Sequence, residues 1–115
     1  MSTTPKSNRE FPWIEPPPRN GTYTTHWDSG TVRVTGEYVD GLKQGSWKEY
    51  WPSGQLKQDY AWDRGLKHGH ELDWSEEGVP LCRGQNARHQ RQGTWTWWYA
   101  DGTHNQTSSY DDEGT

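Results

Sequence analysis

The residues with the most reactive side chains are Cys82, five histidines and several close pairs of carboxylates. A thiol nucleophile needs a base within reach, but Leu81-Cys82-Arg83-Gly84 carries no thiol-enzyme signature. A half-buried strand cysteine is the expectation. His68 and His70 flank Gly69 and could hold a transition metal, yet no third ligand stands at a recognised spacing. Glu71 with Asp73, and Glu76 with Glu77, could serve as an acid–base pair; a solvated surface explains them as well. The glycines are not spaced as a phosphate-cradling loop before a helix. These residues predict no enzyme, no cofactor and no metal. The remaining chemistry is aromatic: nine Trp and six Tyr in 115 residues, the side chains that anchor binding surfaces.

The elements that must carry those rings follow from an internal repeat. From Gly21 the chain falls without a gap into four lines, three of 24 residues and a last of 23, opened by Gly21, Gly45, Gly69 and Gly93. Gly30, Gly54, Gly78 and Gly102 stand nine positions further on in each. Such periodicity marks a repeat architecture. Within the second line Trp47, Glu49 and Trp51 alternate onto one strand face. After Trp51-Pro52-Ser53-Gly54, the residues Leu56, Gln58, Tyr60 and Trp62 do the same. A second turn, Asp40-Gly41 or Arg64-Gly65, joins one line to the next. No apolar 3.6-residue period is sustained, so helix is not expected. The predicted fold is all-β: a single-layer, twisted antiparallel meander of four β-hairpin repeats, 21–44, 45–68, 69–92 and 93–115. Columns Tyr23, Trp47, Trp95 and Trp27, Trp51, Tyr99 then form aromatic ladders. Residues 1–20 lie outside the repeat as an arm, proline-rich from Phe11, expected to cover the first repeat.

Composition narrows the partners. Lys and Arg number 12 against 16 Asp and Glu, a net charge of −4, and nucleic-acid binding needs clustered cations. The cations look scattered, which disfavours an anionic membrane surface. No run approaches the ~20 apolar residues of a membrane span. One cysteine permits no internal disulfide. A cytoplasmic protein, monomeric when free, is the expectation.

The unit G-x-W-x-x-[YW]-[YW]-x-x-G-x-[VL] resembles the MORN repeat, and most of all the bacterial MORN-like modules of YwqK-type antitoxins. Gly45, Trp47, Tyr50, Trp51, Gly54, Leu56, Trp62 and Gly65 carry the resemblance. In bacteria it implies an immunity protein that blocks a cognate toxin; elsewhere it implies scaffolding or lipid association. An extracellular carbohydrate or choline binder is the alternative suggested by Trp/Tyr hairpin repeats. The third line departs from the pattern, with Glu71, Ser75 and Asn86 in place of rings and His89 in place of the linker glycine. Either a bulge flips its strand, or the aromatic face carries a polar gap. Departure from a repeat marks a place where something other than packing is required. The expected contact surface is therefore Glu71, Asp73, Trp74, Glu76 and Glu77 with Trp97 and Trp98 beside them, Trp47 and Trp51 being the fallback. A basic toxin would suit those carboxylates.

Overall fold

The computed structural model describes residues 16–110. The segment Phe11-Pro12-Trp13-Ile14 and the acidic tip Asp111-Asp112-Glu113 lie outside the described residues. Eight strands follow one another: β1 (Gly21–His26), β2 (Val32–Val39), β3 (Leu42–Tyr50), β4 (Leu56–Asp63), β5 (Leu66–Trp74), β6 (Pro80–Ala87), β7 (Gln90–Trp98) and β8 (His104–Tyr110). They form one antiparallel sheet in chain order, with no helix among the described residues. The expected all-β meander of hairpins is the fold. Its extents are 54 × 39 × 16 Å. The thin dimension is one sheet with its side chains, since two packed sheets already stand ~10 Å apart.

Two kinds of turn alternate. Within a repeat, the Trp51 amide donates to the Gln55 carbonyl and the Gly54 amide donates back to Trp51, both at 2.8 Å. Between repeats the turn has two residues, both at positive φ: Asp40 and Gly41 at 53° and 80°, Arg64 and Gly65 at 48° and 84°. That combination suits the right-handed twist of flanking strands. These turns also tie each repeat to the one before. The amides of Gly65 and His89 donate to the carbonyls of Lys43 and Lys67, at 3.0 and 2.7 Å. Gln44 Oε1 accepts from the Arg64 amide at 2.8 Å, as Asn20 Oδ1 accepts from Asp40 at 3.0 Å.

The opening glycines Gly45, Gly69 and Gly93 lie inside β3, β5 and β7. Gly45 has φ +80°, a conformation that side chains resist. Thr35 pairs with Lys48 and Glu37 with Gln44, so Gly36 of β2 faces Gly45, Ser46 and Trp47 of β3. The surplus length folds Trp47 back across β2 and onto Gly36. A Cβ on Gly36 would stand 2.1 Å from the indole. The Trp47 Nε1–H donates to the Glu37 carbonyl at 3.0 Å. Trp95 repeats the arrangement on Gly84, with a 2.0 Å clash for a Cβ and a 2.9 Å bond to the Gln85 carbonyl. Among the described residues, the buried hydrophobic side chains are Trp47, Trp95 and Cys82. The apolar stabilisation therefore sits in indoles lying flat on backbone, not in an interior between layers.

The third repeat keeps the common register. Gly69 pairs with Asn86 and Glu71 with Gly84, as Gly45 pairs with Trp62 and Trp47 with Tyr60. No flip occurs; the aromatic face has a polar gap. The gap is compensated in two ways. Tyr60 stands in the column of Gly36 and Gly84, so a ring fills the seat from below where Glu71 supplies none from above. Asn86, 6% exposed, replaces a ring and donates from Nδ2 to Glu71 Oε1 at 2.7 Å.

Candidate functional site: the aromatic face

Strand pairing places Tyr23, Tyr38, Lys43, Trp47, Tyr60, Trp62, Lys67, Glu71, Asp73, Cys82, Arg91, Trp95 and Trp97 on one face of the sheet. The opposite face is mostly polar, with Leu72 and Trp98 beside Arg83 toward one end. There Asp59 accepts from Ser46 Oγ at 2.5 Å, bonds His70 Nε2 at 2.8 Å and lies 3.5 Å from Lys48 Nζ. Burial works to raise the Asp59 carboxyl, but the hydrogen bonds from Ser46 and His70 prevail and hold it below its ordinary value. His68 turns elsewhere, its Nδ1 accepting from the Arg88 amide at 3.3 Å. The two histidines raised as metal ligands are thus divided between separate partners.

Two open grooves cross the aromatic face. One, of about 520 Å³, is lined by Trp51, Glu71, Asp73, Trp74, Trp97 and Trp98, with Lys57, Arg91 and Cys82 among its other walls. It gathers six of the nine residues expected at the contact surface. Glu76 and Glu77 are not among them; they stand exposed in the turn after β5. Trp47 lines the other groove, of about 400 Å³, but is only 6% exposed. Its work is packing.

Glu71 and Asp73 are not the free surface carboxylates expected from sequence. The Glu71 side chain is 13% exposed, 3.5 Å from Lys67 Nζ, and bonded by Asn86. Asp73 Oδ1 accepts from the Tyr60 hydroxyl at 2.9 Å. Burial pushes the Asp73 carboxyl up; the Tyr60 bond opposes this and the Glu71 charge adds to it. The same burial, with Asp73 and Glu71 close by, raises the Tyr60 hydroxyl above its ordinary range. Cys82 is buried rather than half-buried, and burial with the two carboxylates pushes its thiol up to about 11. At neutral pH that thiol stays protonated and is a poor nucleophile.

The rings form a graded set. Trp97 stacks on Trp95 with centroids 6.0 Å apart and remains half-buried. The Trp27 and Trp51 indoles each donate to a carbonyl one repeat ahead, Tyr50 and Trp74, both at 3.1 Å. Ser75 ends that series, its Oγ accepting from the amides of Glu77 and Val79 at 3.2 and 3.0 Å.

Sequence reasoning missed a column of cations. Lys43, Lys67 and Arg91 stand one repeat apart beside the rings. Lys43 Nζ lies 4.9 Å from the Trp47 ring and 4.6 Å from Trp62; Lys67 Nζ lies 4.8 Å from Tyr60. The Arg91 guanidinium lies 4.9 Å from Trp95 and 5.3 Å from Trp97. The signal was present, since these residues occupy the next-to-last position of the first three lines. Counted as composition, they look scattered; in register they form a stripe.

No helix among the described residues is long and apolar enough to cross a membrane. No curated protein matches the chain. Residues 43–60, covering most of β3 and β4, and residues 91–112, from β7 through β8, match the MORN repeat variant, so these two stretches are similar to repeats of that family.

Proposed function

We propose that the chain is a protein-interaction module of the immunity type, which binds and blocks a cognate toxin domain through its aromatic face. The observation that carries this reading is the cluster of half-buried rings Trp51, Trp74 and Trp97 in one open groove, set among Lys57, Arg91 and Asp73. Rigid indoles ringed by polar groups are the usual composition of an interface hot spot. The anchors are the rings rather than Glu71 and Asp73, whose charge is already engaged by Lys67, Asn86 and Tyr60. A cage for choline is less well supported, because the ring faces carry the chain's own cations, including Lys57 at 4.6 Å from Trp51. As an interaction module the chain needs neither catalytic residues nor a cofactor.

Affinity capture with the protein encoded beside this chain is the test. Trp97→Ala is expected to weaken capture by about thirtyfold, the usual scale for a hot-spot ring. Thr94→Ala, on the polar face, leaves it unchanged. Capture that is indifferent to Trp97→Ala, with the sheet still folded by circular dichroism, would move the interface off this face. If the neighbouring protein is captured but its toxicity persists, the immunity reading fails while the interaction reading stands.

A further inference from the structure

Lys43 is a partly desolvated ammonium between two indoles. It has no ion pair with a carboxylate among the described residues. Glu49, in the same groove, is committed to Arg33 at 3.1 Å. Arg91 is in the same position, set over Trp95 and Trp97 and bonded to the Tyr110 hydroxyl at 2.9 Å, again without a carboxylate among the described residues. Lys67 lies between them and shares its charge with Glu71. In register, Lys43 pairs with Tyr38, Lys67 with Trp62 and Arg91 with Asn86. Rows of cations therefore alternate with rows of mainly aromatic residues across the sheet.

The pitch of this stripe is set by the fold. Successive cations are two strands apart, and strands lie ~4.8 Å from one another, which gives roughly 9.6 Å per step. A polyproline II helix advances ~3.1 Å per residue with three residues per turn, or roughly 9.3 Å between residues i and i+3. The two periods nearly coincide. An extended β segment repeats its side-chain direction every two residues, roughly 6.7 Å, and does not match. Aromatic rows are also the surfaces on which polyproline ligands dock.

Resting on the reading of this face as an interaction surface, we infer that it receives a proline-rich segment of the partner protein, lying across the strands in polyproline II geometry with a carboxylate at every third residue. Those carboxylates meet Lys43, Lys67 and Arg91 in turn; prolines lie on Trp62, between Lys43 and Lys67, and on Tyr38, just before Lys43, while Asn86 stands between Lys67 and Arg91.

Fluorescence anisotropy with a labelled (Glu-Pro-Pro)4 peptide at low salt tests this directly. The comparison peptides are one of equal composition with its four glutamates consecutive, (Lys-Pro-Pro)4, and a single-stranded oligonucleotide of equal charge. The spaced acidic peptide is expected to bind best. Lys43→Gln and Arg91→Gln should each weaken it by about fivefold, the scale of a modest charge contact beside a ring. Arg64→Gln, in the exposed turn after β4 and outside the column, should not. Circular dichroism establishes that each variant is folded, and the two ends of the column give independent readings. Equal binding of the consecutive-glutamate peptide would overturn the spacing. Tighter oligonucleotide binding would show a general polyanion surface instead. Indifference to both column variants would overturn the site. If the neighbouring protein is captured in a Trp97-dependent way and no acidic peptide binds, this inference fails and the interaction reading survives. If neither binds, both fail.

Discussion

Replacing Gly84 by alanine tests whether an indole lying flat on a glycine holds the sheet together. The added Cβ would stand 2.0 Å from Cδ2 of Trp95, far inside contact distance, and the atoms in the way belong to a rigid ring. Trp95 is 1% exposed, so it has no slack and must leave its seat. A displaced tryptophan re-exposes about 150–250 Å², worth roughly 4–6 kcal/mol at 25 cal/mol per Å². The Nε1 hydrogen bond to Gln85 is lost with it. Partial relaxation brings the expected cost to about 3–4 kcal/mol, close to that of deleting a buried Trp side chain. Gly93→Ala is the control. It meets nothing within 4 Å and carries only the strain of φ +71°, about 1–2 kcal/mol. Urea denaturation followed by circular dichroism and tryptophan fluorescence would give both values. The decisive measurement is the double-mutant cycle: in a Trp95→Ala background, Gly84→Ala should cost almost nothing, because the clash has been removed. If Gly84→Ala costs as much without the indole as with it, the seat is not what Gly84 provides.

Three further outcomes follow from the gap in the face and from its turns. Because the folded-state pKa of Asp73 is raised by burial, its contribution turns unfavourable as pH rises from the unfolded carboxyl value through the folded one. Asp73→Asn, which can still accept from Tyr60, should raise the melting temperature at pH 7 and change it little at pH 3; an equal change at both would refute the assignment. His89 occupies a turn position at φ +74°, so His89→Gly should stabilise by about 1 kcal/mol, less the loss of the Nδ1 bond from the Lys67 amide, read as a higher urea midpoint. Glu71→Trp alone should destabilise, because Tyr60 fills the seat, and adding Tyr60→Gly should recover the loss; additive losses in the double variant would show that the two positions are not exchanged.

The fold was legible because a period of 24 residues and strand alternation agree from Gly21 onward. The turns were legible because Asp40-Gly41 and Arg64-Gly65 name their own geometry. What could not be read was the place of Gly45. A glycine before a strand and a glycine bulging inside one look the same in sequence, and only strand pairing shows that Gly36 faces three residues. The functional role of Gly36 and Gly84 was hidden for the same reason, as each acts through a ring on the next strand. Glu71 was singled out as a departure from the repeat, and Asp73 as its neighbour on the expected contact surface. Their exposure was misjudged, because Tyr60 and Asn86, which enclose them, lie on other strands. Trp97 and Trp51 line one groove although they were read as parts of separate surfaces, whereas Lys43, Lys67 and Arg91 became meaningful only as a row.

Each indole seat joins one hairpin to the hairpin after it: Trp47 closes on Gly36, and Trp95 on Gly84. The array therefore has a direction. A chain leaving the ribosome presents the glycine before the ring that covers it, so the seat on each of these hairpins is completed only when its successor has been made. Contacts are concentrated between adjacent strands, and each arrival settles the previous unit without waiting for the far end.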